Sequence, residues 1–315
     1  MARLLFVVHR YVPFPGGSEY FVRDMAEESL KRGHAVTVLT HWHRGDRNGV
    51  RVTNDYGVLN AAWDLIVVHG GDVVSQDVVH AKAREIRSPV IYLIVKPSEA
   101  PVCLAGLAHH RFVGYSTAAD LRHIGTHGLL EKARRVRHGI SPKGTVRKKP
   151  ARGNRRIFVS AGGYSHHKAM VPLAGAFTRA GIPDSELHLF GCFGGGIPSP
   201  TEIVKVSIGT SRETVMLAVA GAEAYVMNSQ EEGFGLVLLE AMANRTPWIA
   251  RNVGGAVDLS SFGTTYRTEE ELIEILRRFR PAEAAIERAY DYLMANHTIR
   301  HTIDDVEAVL EELSR

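Results

Sequence analysis

The sequence predicts an α/β protein of two parallel-sheet domains, and three observations carry that prediction. Short runs rich in Val, Ile and Leu recur with helix-length stretches between them. The alternation stops at a Pro, Gly and Lys/Arg-rich interruption after Pro142 and restarts at Arg156. The chain's 315 residues suffice for about two domains of ordinary size. With 45% hydrophobic and 23% charged residues, long disorder, collagen-like and coiled-coil architectures are disfavoured. Cys103 and Cys192 are the only cysteines, too few for a disulfide framework or a Cys-rich zinc site. The apolar runs fall far short of the ~20 residues a membrane span needs, and the N-terminus lacks a convincing signal peptide. Cytoplasmic residence is the simplest expectation.

In the first half, strands are expected over Leu4 to His9, Ala35 to Thr40, Leu65 to His69, Val90 to Val95 and Phe112 to Tyr115. Ser18 offers an N-cap for a helix running to Arg32, which Gly33 ends. In the second half, Arg156 to Ser160, Leu187 to Phe190, Glu223 to Asn228 and Pro247 to Ala250 read as strands. Helices are expected from about His166, Ser211 and Leu236, then over Glu269 to Arg280, Ala282 to Asn296 and Thr302 to Leu313. The expected organisation is an N-terminal domain over 1–142, a basic linker over 143–156, a second domain over 157–296 and a terminal helix over 297–315.

The net charge of +4 is unevenly distributed. Residues 1–121 sum to +1, residues 122–156 to +11 and residues 157–315 to −8. So basic a segment either collects phosphates or is a solvated linker. The first alternative makes an anionic partner an expectation, either a lipid at a membrane surface or a nucleic acid. A lipid would imply peripheral membrane attachment.

Two stretches carry chemistry. After the first strand comes Pro13-Phe14-Pro15-Gly16-Gly17-Ser18-Glu19, where paired glycines at a strand-to-helix turn allow close backbone approach to an anion. The alternative is that they merely make the turn. The spacing is not G-x-G-x-x-G, which disfavours a dinucleotide dehydrogenase. The second stretch is Asn228-Ser229-Gln230-Glu231-Glu232-Gly233-Phe234-Gly235-Leu236, leading into a helix that carries Glu240. At ~1.5 Å per helical residue, Glu232 and Glu240 reach up to about 12 Å apart, the span between the sugar and the ribose of a sugar nucleotide. The helix N-terminus between them suits a diphosphate. An ordinary amphipathic helix with an incidental pair of glutamates is the plainer reading.

The E-G-F-G-L-x-L-x-E-A-M-A string resembles the Glu-x7-Glu signature of retaining glycosyltransferases of the GT-B fold, family 4 (glycosyltransferase group 1). The opening P-x-x-G-G-x-E, Arg32 to Thr40, His138-Gly139-Ile140, Ile157 to Ser160 with Lys168, and Arg251-Asn252-Val253-Gly254-Gly255 resemble further motifs of that family in order. The resemblance implies two Rossmann-like domains facing a cleft, with a nucleoside-diphosphate sugar as donor and a hydroxyl acceptor. It implies catalytic roles for Glu232, on the donor sugar, and Lys168, on the diphosphate. Glu240 would hold the ribose, Gly233, Phe234, Gly235 and Leu236 the phosphates through their backbone, and Gly16, Gly17 and Gly163 would lie in the donor site. No cofactor or metal is implied, and the donor base, UDP or GDP, is left open.

Two positions depart from the pattern. Gly163 stands where the family places an arginine, and Lys96 where it often places a histidine; Lys96, His166 and His167 are the cations available as substitutes. The alternative to a transferase is a non-catalytic relative that binds a nucleotide sugar or glycan. A GT-B epimerase or phosphorylase fits the Glu-x7-Glu element less well.

Overall fold

The computed structural model describes residues 1–70, 85–94, 111–142, 155–192 and 194–315. Lys96, Cys103, the His109-His110 pair and residues 143–154 of the basic segment lie outside them. The chain forms two units, one of Met1–Ser141 with His297–Arg315 and one of Pro142–Asn296.

The first unit holds β1 (Arg3–Val7), α1 (Gly17–Lys31), β2 (Ala35–Leu39), β3 (Gly45–Arg47), β4 (Val50–Thr53), β5 (Leu65–His69), β6 (Val90–Leu93), β7 (Phe112–Tyr115), α2 (Ala118–Thr126) and β8 (Ala133–Arg135). The eight strands run in the order β3-β4-β2-β1-β5-β6-β7-β8, parallel except for the β3–β4 hairpin. Near-continuous apolar runs form these strands because both faces are covered. Leu5, Val7, Ile66, Val68, Tyr92 and Val113 share one core cluster. The hairpin escapes the hydrophobic pattern because all three residues of β3 are exposed. Its signal is Asn48-Gly49, both at positive φ as a type I′ turn requires.

The second unit contains β9 (Arg156–Gly163), α3 (Met170–Ala180), β10 (Ser185–Cys192), β11 (Val204–Ile208), α4 (Arg212–Ala220), β12 (Ala224–Met227), α5 (Leu236–Ala243), β13 (Trp248–Arg251), α6 (Gly255–Asp258), β14 (Thr264–Tyr266), α7 (Glu269–Arg278) and α8 (Glu283–Asn296). Its six strands follow the order β11-β10-β9-β12-β13-β14, all parallel. α4 begins next to Ser211, where a helix start is expected, and Ser211 caps it by accepting from the Thr214 amide.

In each sheet the strand order reverses once, beside β1 in the first and between β9 and β12 in the second. Carboxyl ends of strands at such a reversal are where open α/β sheets bind ligands, because the crossovers part there.

After α8 the chain returns to the first unit through α9 (Ile299–Leu313). The terminal helix is therefore part of that unit rather than a separate element. Ile140 donates its amide to the His297 carbonyl at 3.0 Å, and Ile299 donates to the Ile140 carbonyl at 2.7 Å. Gly139 makes the approach possible, since a Cβ there would sit 2.3 Å from the Thr298 carbonyl oxygen.

This docking uses part of the basic segment. Arg134 pairs with Glu312, and Arg137 makes a bidentate pair with Asp305. In the second unit Arg156 pairs with Glu223, and Arg155 with Glu186. The +11 stretch is thus no uniform phosphate-binding field, because at least four of its cations hold carboxylates of the fold.

His69 and His138 are buried in the first unit, where both rings contact Phe21 and meet each other edge-on at 6.5 Å. Burial pushes His69 down to about 4, against an opposing hydrogen bond at Gly70. It pushes His138 down to about 3, with the neighbouring His69 and His297 lowering it further. Both imidazoles stay neutral in the folded chain while their unfolded counterparts protonate below the usual 6.5. Stability is therefore full above pH 6.5 and falls as the pH drops toward 4. Each histidine contributes a slope of about 1.4 kcal/mol per pH unit in that window. Urea titrations between pH 7.5 and 4.5 check this, and His138→Phe should flatten the dependence.

Candidate donor site

The second unit's strand reversal brings together two loops that are distant in sequence. β9 ends at Gly163, and a short 3₁₀ turn, His166–Lys168, follows it; β12 ends at Met227 and the Asn228–Gly235 loop follows. Asn228, buried between them, joins the loops. Its side-chain amide donates to the Ala169 carbonyl at 2.9 Å, while its oxygen accepts from the Tyr266 hydroxyl at 2.6 Å and from Arg251 at 3.0 Å. The Gln230 amide donates to the His167 carbonyl at 2.7 Å. Lys168 is thereby held against the second loop, where its ammonium pairs with Glu232.

Glu232 is 9% exposed, and its Oε1 also accepts from the Ser229 hydroxyl at 2.6 Å. A buried carboxylate needs such partners, since an uncompensated charge costs several kcal/mol to desolvate. Three residues on, Gly235 takes φ +86° and begins α5 with no side-chain cap. No side chain therefore competes for the first amides of α5, the usual setting for anion binding at a helix N-terminus. Glu240, on the fifth residue of α5, accepts from Arg212 Nη2 at 2.5 Å and Nε at 3.2 Å.

A second Gly-Gly pair shapes this loop from behind. A Cβ on Gly254 would lie 2.4 Å from the Gly233 carbonyl oxygen, and one on Gly255 would lie 2.4 Å from that of Phe234. The Gly255 amide donates to the Phe234 carbonyl at 3.0 Å. Only bare backbone allows the β13–α6 turn to approach so closely and hold the Glu232–Phe234 segment in place.

The structure thus unites Lys168, Glu232, Gly233, Phe234, Gly235 and Leu236 on one edge, with Glu240 further along the same helix. Gly163 ends β9 beside the Lys168 turn, where His166 is exposed and His167 half-buried. Gly16 and Gly17 belong to the other unit. There Gly16, not Ser18, is the N-cap of α1, because the Glu19 carboxylate folds back into the space a Cβ at Gly16 would fill. Arg10 pairs with Glu19 at 3.0 Å. The paired glycines therefore accommodate an internal carboxylate at that helix start. The sequence reading missed Arg212 and the tie made by Asn228. Arg212 had one local signal, a cation directly after a Ser N-cap. Among the described residues no group of three or more His, Cys, Asp or Glu side chains could hold a metal ion, and no helix is long and apolar enough to cross a membrane.

Two parallel α/β sheets with this element order are the GT-B architecture found in glycosyltransferases. Residues 199–265, which include the Glu232–Glu240 stretch, match the family model Glycosyl transferases group 1. Among solved structures, the chain resembles HepE from Anabaena in complex with UDP-glucose, with a TM-score of 0.78 at 16% identity, covering 99% of this chain and 100% of that one. It resembles sucrose-phosphate synthase from Thermosynechococcus elongatus at TM-score 0.80 and 16% identity, covering 99% of both chains. A trehalose 6-phosphate synthase from Burkholderia multivorans matches at TM-score 0.75 and 13% identity, over 100% of this chain and 99% of its own. At such identities the likeness is one of fold. No curated protein matches the sequence.

Proposed function

We propose that this protein is a retaining glycosyltransferase that moves a sugar from a nucleoside-diphosphate sugar to a hydroxyl acceptor without a metal ion. One observation carries the reading: Lys168 and the buried Glu232 meet beside the uncapped N-terminus of α5, with Glu240 further along the helix. In this reading the α5 amides and Lys168 hold the diphosphate, Glu232 accepts hydrogen bonds from the donor sugar and Glu240 from the ribose diol. His166 and His167, which precede Lys168 in the same 3₁₀ turn, are the basic side chains that supplement it. As the bond from the sugar's C1 to the phosphate oxygen breaks, its electron pair passes to the diphosphate. The bond from C1 to the acceptor oxygen forms as that hydroxyl passes its proton to the departing diphosphate, whose oxygen has gained the electron pair. Charge develops on the diphosphate, so fixed cations and helix amides lower the barrier there.

Purified protein incubated with UDP-, GDP- and ADP-sugars and a panel of hydroxyl acceptors should release nucleoside diphosphate and yield a product heavier by one sugar. Binding without consumption of any donor would instead mean a nucleotide-sugar-binding protein.

Gly163 offers a direct probe of donor electrostatics. A Cβ there would meet nothing closer than the Cys192 carbonyl oxygen at 3.7 Å, and the backbone is not left-handed. Gly163→Arg should therefore fold and add a charge-assisted contact of about 1.5–3 kcal/mol to a bound diphosphate, a gain in affinity of ~10-fold or more. Calorimetric titration with the nucleoside diphosphate measures it, and an unchanged affinity would argue against a diphosphate beside β9.

A further inference from the structure

Trp42 has no place in the core of the first unit. It is 56% exposed, just beyond the carboxyl end of β2, and a group of rings surrounds it. His41 and His9 meet it edge-on, with ring centroids at 5.4 and 5.8 Å, and Phe14 lies at 6.5 Å. His9 and His41 stack nearly parallel at 5.7 Å, His43 sits 6.0 Å from Phe14, and Tyr56 lies 6.4 Å from His41. The indole is oriented as well as exposed, because its Nε1–H donates to His9 Nε2 at 3.0 Å. The Tyr56 hydroxyl and His41 Nδ1 share a hydrogen bond of 3.1 Å. His43's two ring nitrogens are shielded yet make no hydrogen bond among the described residues. The six rings come from segments that follow β1, β2 and β4, so they collect at the carboxyl edge of the sheet, next to the strand reversal. That edge is the ligand-binding side of an open α/β sheet.

We propose that this ring cluster is a sugar-binding subsite and that the acceptor is a carbohydrate, laid with one pyranose face on Trp42. The assignment of this ligand as acceptor rests on the glycosyltransferase reading above. The chemistry of the rim selects the ligand. A pyranose presents a face of weakly positive C–H groups, which suits the negative face of an indole, and a rim of neutral hydroxyls that both donate and accept. Imidazoles and a phenol, His9, His41 and Tyr56, supply such groups around Trp42. An acyl-chain surface would want contiguous apolar area, which the imidazoles interrupt. A phosphate backbone would want several free guanidinium or ammonium groups; Arg10, next to His9, is committed to Glu19, which leaves the exposed Arg44, directly after His43, as the one further cation adjoining these rings in sequence.

Trp42 reports on its own occupancy. Trp248 is 1% exposed, and the Trp63 indole donates to the Val58 carbonyl at 2.8 Å, so solvent-sensitive emission belongs mainly to Trp42. Titration of the full chain with a panel of neutral di- and trisaccharides should give a saturable change in fluorescence for at least one member. Trp42→Ala should remove saccharide binding measured by calorimetry, and Trp42→Phe should retain part of it. Affinity of Trp42→Ala for nucleoside diphosphate should equal that of the parent chain, which also shows that the variant folds. No response to any saccharide, or a response only to anionic phospholipid vesicles or to an oligonucleotide, would overturn the subsite. If nucleoside diphosphate still binds in that case, the donor reading stands. Saccharide binding at Trp42 in a chain that binds no nucleotide would instead sink the donor reading alone.

Discussion

Glu232→Ala and Lys168→Ala each lower turnover at least ~100-fold, read as nucleoside diphosphate released per enzyme under saturating donor. The magnitude is that of removing one preorganised group aimed at developing charge, about 3 kcal/mol of barrier. The two variants should differ in stability. Removing Glu232 leaves an ammonium whose side chain is 25% exposed and can turn to water. Removing Lys168 leaves a 9% exposed carboxylate holding only the Ser229 hydroxyl of the partners described above, a costlier state. Lys168→Ala should therefore melt lower than Glu232→Ala. Because the pair acts as a unit, the double variant should lose much less than the product of the single losses. Near-normal turnover in both single variants would remove this site from the chemistry.

The second large effect is expected at Gly254, which touches no proposed substrate. Its φ is +55°, and an added Cβ would lie 2.4 Å from the Gly233 carbonyl oxygen and 2.7 Å from that of Glu232. Gly254→Ala must push the Glu232–Phe234 loop away. The expected outcome is a loss of about 1–3 kcal/mol in stability together with loss of nucleoside diphosphate binding well below the melting temperature. Gly263→Ala is the control, since its Cβ would strike the Trp248 ring at 2.2 Å, away from the loop. That variant should melt lower yet still bind nucleotide while folded. Equal loss of binding in both would show that the effect is general unfolding rather than displacement of the loop.

How far the molecule was legible in its sequence follows from the range of each force. Strands such as Leu65–His69 are buried throughout, and that burial writes a continuous apolar run into the chain. The hairpin at 45–53, the short β8 and the edge strand β14 carry little or no such run, so hydrophobic pattern passes over them. The Glu232–Glu240 segment was legible because loop, helix start and both carboxylates are contiguous. Lys168 could be named from a motif, but its partner lies 64 residues away and no local spacing joins them.

Charge shows the same division. The sum of +11 over residues 122–156 is a property of the chain alone. That Arg137 is held by Asp305, and Arg134 by Glu312, depends on the return of α9 to the first unit. Local pattern was enough for two parallel α/β sheets and for the loop-to-helix segment with its two glutamates, because backbone conformation and side-chain burial act over a few residues. Tertiary structure alone decided that Glu19 fills the space at Gly16, that Arg212 faces Glu240, and that six rings from three segments meet around Trp42. Those contacts are set by strand order, which brings distant carboxyl ends together.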